Sequence, residues 1–406
     1  MYHSLLFITT HGTLNRKKGG NHVVIQTLDA RHFDEAFALS CYAFQAKPTS
    51  EQTETARTHW SHHNATHFAL MDDNQLASKL TLLSLSIQLF GRTVPMGGIA
   101  SVASYPEARR QGGVRKLLHH SLETMKEKGQ VLSYLAPFSV SFYRKFGWEI
   151  LCDEVTYTLE KNQLPRPLAT LEGTLTRVPY QDNRIKDVYT NCLRHGMLER
   201  DDEWWGRKQE ENKEYHTVLY EDAEGTPKAY MVYRFSESKW TTQEMIYYDQ
   251  SALKALLHFV GQHDSMLDEA TITVPGSSAL HYYLPDPLTK ATTKPYFMAR
   301  IVDFQAFVET HPFLADGQFT IRIQDDFATW NNTIFALSIK DGHAQCVPTT
   351  DPPSLFMTIQ TASSLFMGYK RPTFYKHADL VTGNEEAIDQ FLRTLPDQEP
   401  TLHDFF

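Results

Sequence analysis

The sequence predicts an α/β (α+β) fold: two tandem mixed units, the second a degenerate copy of the first, followed by a third α/β domain. Three observations carry the prediction. A short apolar strand around residues 102–104 runs into a basic, glycine-containing turn, and an amphipathic helix opens at Val114. Residues 151–295 repeat the same order of strands and helices without that turn. From about Ala299 the pattern changes to strict apolar–polar alternation, as in strands with one buried face. At 406 residues the chain has room for two or three domains.

Residues 1–22 read as foreign to this fold. They lack both the basic start and the long apolar core of a signal peptide. Lys18-Gly19-Gly20 can be encoded by a purine-rich ribosome-binding sequence, and Val23 and Val24 stand where GUG start codons would follow. Residues 1–22 are therefore expected to be translated leader, with a natural start at Val23 or Val24; a disordered tail is the plainer alternative.

In the first unit, 23–150, residues 67–71 and 77–83 flank the turn Asp72-Asp73-Asn74-Gln75, a hairpin signal. Val114, Leu117, Leu118, Ser121, Leu122 and Met125 fall at helical spacing and give one face to bury. Gly129 supplies the C-cap, residues 131–136 a buried strand, and a short helix then carries Tyr143. In the second unit, 151–297, Ile185, Val188, Tyr189, Cys192 and Leu193 mark a helix after Asp182. Strands follow at 216–220, 229–235 and 245–248, then a helix bearing Leu253, Leu256, Leu257 and Val260, and a strand at 271–274. Its turn reads Asp249-Gln250-Ser251-Ala252-Leu253, an acidic run that would repel a pyrophosphate. In the third domain, 298–406, Phe319, Ile321 and Ile323 alternate, as do Phe335, Leu337 and Ile339, with Asp341-Gly342 as a tight turn. Helices are expected at 362–368 and 385–395, and the chain ends in Leu402-His403-Asp404-Phe405-Phe406. Most termini are polar and fray, whereas an aromatic one packs into something.

The turn Arg109-Arg110-Gln111-Gly112-Gly113-Val114 is built to cradle a phosphorylated ligand. Gly112 and Gly113 let the backbone approach closely, the amides at a helix start carry partial positive charge, and Arg109 and Arg110 add full charges. Neither Gly-x-x-x-x-Gly-Lys-Ser/Thr nor Gly-x-Gly-x-x-Gly occurs here, which argues against an ATPase loop or a dinucleotide fold. The turn resembles the acyl-CoA loop of the GNAT acetyltransferases, Arg/Gln-x-x-Gly-x-Gly/Ala, with Val114 at a position where that family prefers a small residue.

Taken with Phe142-Tyr143-Arg144-Lys145-Phe146-Gly147, the silent second unit, Met298-Ala299-Arg300-Ile301-Val302-Asp303 and the aromatic terminus, the chain resembles the Eis-type acetyltransferases over about residues 23–406. That resemblance implies two GNAT units, a sterol-carrier-like C-terminal domain, acetyl-CoA as co-substrate, an amine acceptor (aminoglycosides for some members) and a hexamer. It implies Tyr143 as general acid and the terminal carboxylate on Phe406 as general base. Trp148, like Val114, departs from the family pattern and reshapes the cofactor end. In acetyltransferase cores a splayed strand exposes backbone N–H groups; Val102, Ala103 and Ser104 stand where that strand should be, to bind the pantetheine arm and the oxyanion.

Acetyl transfer needs a neutral amine, and near pH 7 a primary amine is mostly protonated, so a carboxylate that takes its proton is useful. Tyr143 also fits a core aromatic, and Phe406 a simple anchor. The charges, 39 basic against 48 acidic for a net −9, argue against general nucleic-acid binding and favour cationic substrates. No apolar run reaches the ~18 residues of a membrane span. Cys41, Cys152, Cys192 and Cys346 are scattered without metal spacing, which suits free thiols in a reducing cytoplasm. Transfer is expected to be direct, in a ternary complex, with no metal. His62-His63 and His119-His120 read as solvated, and Trp204-Trp205 as packing residues before a cation–π amine pocket. The acceptor could equally be a polyamine or a protein lysine. A non-catalytic acyl-CoA or lipid-binding protein using the third domain is the alternative from another class; a transferase acting on cell-wall precursors ranks last.

Overall fold

The computed structural model describes residues 23–62 and 64–406; the expected leader at 1–22 and His63 lie outside the described residues. The first unit runs β1 (Val23–Leu28), α1 (Phe33–Phe44), α2 (Ser50–Trp60), β2 (Ala65–Asp72), β3 (Gln75–Leu89), β4 (Arg92–Ser104), α3 (Gly113–Glu127), β5 (Leu132–Leu135), α4 (Val140–Arg144) and β6 (Glu149–Glu160). The second runs β7 (Thr174–Val178), α5 (Asn183–Asn191), α6 (Asp202–Asn212), β8 (His216–Glu221), β9 (Pro227–Ser236), β10 (Lys239–Tyr247), α7 (Gln250–Gly261), β11 (Glu269–Pro275) and β12 (Lys290–Ile301). The third holds α8 (Phe304–Thr310), β13 (Gly317–Gln324), β14 (Ile334–Lys340), β15 (His343–Thr349), β16 (Leu355–Thr358), α9 (Ile359–Phe366), α10 (Pro372–His377), β17 (Thr382–Gly383) and α11 (Glu385–Arg393).

Local chemistry explains most of these limits. Asp73 and Asn74 both take positive φ (48° and 63°), the geometry of a two-residue hairpin turn between β2 and β3. Asp341 and Gly342 repeat it between β14 and β15. Helix α3 buries Leu117, Leu118, Ser121, Leu122 and Met125 and closes on Gly129 at φ 69°. There the Gln130 N–H donates to the Met125 carbonyl at 2.9 Å and the Gly129 N–H to that of Lys126 at 3.1 Å, a Schellman closure. The alternating residues of β13 and β14 face one core, with Phe319 opposite Leu337 and Ile321 opposite Phe335.

The two units share one 12-stranded sheet in the order β1-β2-β3-β4-β5-β12-β6-β11-β10-β9-β8-β7. Strand β6 starts in the first unit and, from Glu154 on, pairs with β11 of the second. Strand β12 runs the other way: residues 290–295 pair with the far half of β6, and Met298–Ile301 pair with β5. Each unit thus borrows a strand from the other. The positions 150/151 and 297/298, expected as domain boundaries, lie inside these two shared strands. The third domain packs a five-stranded sheet, β15-β14-β13-β16-β17, under α8, α9 and α11.

Three buried histidines make this core sensitive to acid. His195 stacks on Phe90 at 3.7 Å, His311 meets the same ring edge-on, and His67 stacks on Trp60 at 3.6 Å. Burial pushes their pKa values down from 6.5 to about 4, about 3 and about 4 respectively. The unfolded chain takes up these protons near 6.5, so the stabilisation is complete above that pH and is lost as pH falls towards 4. Thermal unfolding by circular dichroism should show Tm falling from pH 6.5 downwards. His311→Gln should lower Tm at pH 7 but flatten that decline; an unchanged slope contradicts the assignment.

Candidate active site

Strands β4 and β5 run parallel and pair only from Met96–Leu132 to Ile99–Leu135. Beyond Ile99, β4 continues to Ser104 while β5 ends, so a V opens between them. The β4 N–H and C=O groups that β5 no longer meets are left for a ligand, because such groups need partners. Val102, Ala103 and Ser104 lie on this open arm. A bulge interrupts β4 just past the vertex: two residues, Ser101 and Val102, stand opposite one residue of β3, and Ser101 takes φ +55°.

Lys79 props this bulge, and sequence reasoning missed it. Its ammonium donates to the Ser101 carbonyl at 3.3 Å and to Ser101 Oγ at 3.1 Å, and Ser40 Oγ lies 3.5 Å from Ser101 Oγ. Lys79 is buried, and among the described residues it forms no ion pair with a carboxylate. Burial pushes its pKa down to about 8. The signal in the sequence was the one charged residue in the stretch Leu76 to Leu85.

The basic turn falls where expected. Gly112, at φ +80°, is the N-cap of α3 and offers no side chain to the helix amides; Arg110 also takes positive φ, 63°. Gly113 is buried so tightly that a Cβ there would lie 2.8 Å from Ser78 Oγ and 3.0 Å from a Leu70 methyl. Arg109 and Arg110 are exposed, and among the described residues neither makes an ion pair. Val114 is half-buried at the first turn. The matching helix of the second unit is closed off: the Asp249 carboxylate caps α7 by accepting the Ala252 N–H at 2.9 Å. The residues around Gly112 therefore fit an anionic group, whereas those around Asp249 do not.

Tyr143 and Phe406 approach the V from opposite faces of the sheet. Tyr143, on α4, packs with Leu117, Leu118, Leu135 and Trp148 on the α3 face, and burial raises the pKa of its phenol well above the usual value. Among the described residues its hydroxyl has no hydrogen-bond partner. Phe406 packs on the other face, its ring centroid 4.9 Å from Phe297 and 6.0 Å from Trp204. A Cβ on Gly98 would lie 2.8 Å from the Phe406 ring, and Gly98 pairs with Tyr134 one step before the vertex. Gly98 was not singled out in the sequence; its requirement appears only when the chain end returns to it. Trp204 and Trp205 are both buried packing residues, as expected, while Trp204 also covers the chain end and carries Arg207 4.8 Å above its ring. His119 and His120 are half-buried beside Glu123, at 3.4 and 3.9 Å.

Residues 24–151 match the family described as acetyltransferase (GNAT) domain, and residues 196–301 match a second family of the same description. Residues 304–403 match the sterol carrier protein domain family. An uncharacterised N-acetyltransferase from Streptomyces griseus is 22% identical over 317 residues, 68% of this chain and 73% of that one. A conserved protein of unknown function from Enterococcus faecalis V583 has a TM-score of 0.89 at 28% identity, covering 95% of this chain and 100% of its own. Eis1 from Mycobacterium abscessus shares the fold, with a TM-score of 0.78 at 17% identity over 95% of this chain and 100% of its own.

The close approach at Gly98 gives a direct test of where the chain end sits. Gly98→Val should displace the Phe406 ring at a cost of roughly 1–3 kcal/mol, as overpacking does. Carboxypeptidase should then release Phe406 at least several-fold faster than from the parent, followed by mass spectrometry; equal rates mean the ring does not depend on this gap.

Proposed function

We propose that this chain, with its two GNAT domains, is an Eis-type N-acetyltransferase that transfers an acetyl group directly from acetyl-CoA to an amine of aminoglycoside, polyamine or lysine type within a ternary complex. One observation carries the reading furthest: a V-shaped β4/β5 gap bounded by an uncapped basic helix start at one end and by the Phe406 ring at its vertex.

Acetyl-CoA supplies an activated thioester. The amides opening α3, with Arg109 and Arg110, hold its pyrophosphate, and Gly112 and Gly113 allow the contact. The open arm of β4, Val102, Ala103 and Ser104, pairs with the amide groups of the pantetheine arm. The bulge that Lys79 supports turns a β4 amide towards the thioester carbonyl, where negative charge develops. The terminal carboxylate of Phe406 accepts the proton of the incoming ammonium, so that the neutral amine attacks the carbonyl carbon. The C–N bond forms, the C–S bond breaks, and Tyr143 donates its proton to the departing sulfur; the second proton, shed by the acylated nitrogen, passes through solvent and restores the Tyr143 phenol. A phenol held above its usual pKa stays protonated, which suits a donor and not a base.

Direct transfer is supported by the thiols. Burial pushes Cys152, Cys192 and Cys346 up to about 12, about 11 and about 12, far from a reactive thiolate at neutral pH. Cys41 lies on α1 beside Lys79, and among the described residues no histidine or carboxylate bonds to its thiol. The reading of the third domain as a lipid carrier meets an interior already filled by Phe304, Phe307, Phe319, Phe335, Phe366 and Phe391. Among the described residues no helix is long and apolar enough to cross a membrane. A cytoplasmic hexamer extends the proposal from the family resemblance.

Release of CoA thiol from acetyl-CoA, with tobramycin, spermidine and a lysine peptide as acceptors, tests the reaction. Tyr143→Phe should lower kcat by roughly 100-fold with little change in the KM for acetyl-CoA. Arg109→Ala combined with Arg110→Ala should instead raise that KM by roughly 10-fold or more, as loss of charge-assisted phosphate contacts does. Deletion of Phe406 should depress kcat while calorimetric binding of acetyl-CoA persists. Absence of acetyl-CoA binding by the parent protein would falsify the assignment of the turn.

A further inference from the structure

We infer that Asp404, held by Arg200 of the second unit, is a positioning residue that sets Phe406 at the vertex of the β4/β5 V; the inference rests on the reading of Phe406 as the base. The second unit has the same V as the first. Strand β10 pairs with β11 only from Lys239–Glu269 to Thr242–Ile272, and a bulge at Thr242/Glu244 follows at once, as in β4. The chain's own C-terminal tail borders that opening. Thr401 and His403 line a cavity of about 50 Å³ with Met245, Tyr247, Pro275 and Ser277, and Thr401 Oγ1 lies 3.3 Å from Ser277 Oγ. The Thr401 N–H donates to the His195 carbonyl at 2.8 Å, and Gly196 makes room, since a Cβ there would lie 2.8 Å from the Pro400 Cβ.

Asp404 closes this path with every acceptor used. Its Oδ1 accepts from Arg200 Nε at 2.9 Å and from the Trp204 indole N–H at 2.7 Å, and its Oδ2 lies 3.0 Å from the Tyr189 hydroxyl, which also reaches the Leu198 carbonyl at 2.8 Å. Its carbonyl accepts from the Tyr296 hydroxyl at 3.0 Å. Arg200 also donates to Glu244 on the β10 bulge, and Glu244 accepts from the Tyr230 hydroxyl at 3.0 Å. The Arg200 and Asp404 side chains are completely buried. Burial pushes the Glu244 carboxyl up, but the charges of Arg200 and Lys208 outweigh it and hold the pKa at about 2.

An apolar tail would dock at less desolvation cost than these ions, but it could slide. A one-residue slip here would take the Asp404 carboxylate away from Arg200 Nε and from the Trp204 indole N–H at once. Two residues span at most about 7 Å, so pinning Asp404 confines Phe406, whose ring lies against Gly98, to a small arc. Effective catalysis by a positioned base depends on such confinement: a misplacement of about 1 Å can cost on the order of 100-fold in rate.

The test compares Asp404→Asn, Tyr296→Phe, the Phe406 deletion and each substitution combined with that deletion, using acetyl-CoA and whichever of tobramycin, spermidine or the lysine peptide is turned over. The expected result for Asp404→Asn is a kcat at least 10-fold lower, an acetyl-CoA KM within about twofold, faster carboxypeptidase release of Phe406, and no further loss in the deleted background. Tyr296→Phe, which removes a single bond to the tail, should show a smaller change of the same kind and is decisive if Asp404→Asn does not fold. An unchanged kcat in a folded variant, or losses that multiply with those of the deletion, would overturn the positioning role. An undiminished kcat after Phe406 deletion would overturn the base assignment itself, and is told apart because it appears with Asp404 intact.

Discussion

Everything near the V depends on β6 and β12 being held in common. Each strand begins in one unit and ends in the other, so the hydrogen bonds that complete the first sheet are continuous with those of the second. Separating the units would break both ladders and bare the Phe297 and Leu151 side of the core to water. Relative motion between them is therefore opposed along the whole width of the sheet. That rigidity is what allows a segment fastened beside β10 to hold a ring against Gly98 on β4.

At the V itself the structure spends stability to obtain a particular backbone shape. Ser101 at φ +55° is a conformation that non-glycine residues rarely adopt, and Lys79 beneath it is a buried cation that donates to the Ser101 carbonyl and hydroxyl. Both features lie within a few residues of the strand arm left open by β5. The bulge in β10 sits at the equivalent point but carries Glu244, and there the buried carboxylates of Glu244 and Asp404 share the Arg200 guanidinium. The same irregularity of one strand thus serves an ion-paired cluster in one unit and an ammonium without a carboxylate partner, among the described residues, in the other.

Features set by neighbouring residues were legible in the sequence. The hairpin turns at Asp73-Asn74 and Asp341-Gly342, the Gly129 closure, the buried stripe of α3 and the basic turn before it all follow from spacing and turn chemistry. Family motifs added Tyr143 and Phe406. What stayed hidden was pairing at long range. Alternation assigns faces to a strand but not partners, so the exchange of β6 and β12 left no mark in the pattern. Helices α1, α2 and α6 were not placed, because their apolar stripes are weak or interrupted by polar residues. Arg200, Glu244 and Asp404 are three ordinary charged residues in a sequence with many; only folding shows that they share one buried point.

The acidic turn at Asp249 has a meaning beyond the loss of a binding site. Its carboxylate sits where the first unit would receive the phosphates of a visitor, and the residues around Thr401 border the gap where that visitor's arm would run. The second unit thus meets a segment of its own chain at the opening where the first unit's strand arm is left bare, and it serves the first unit as scaffolding rather than as a second site.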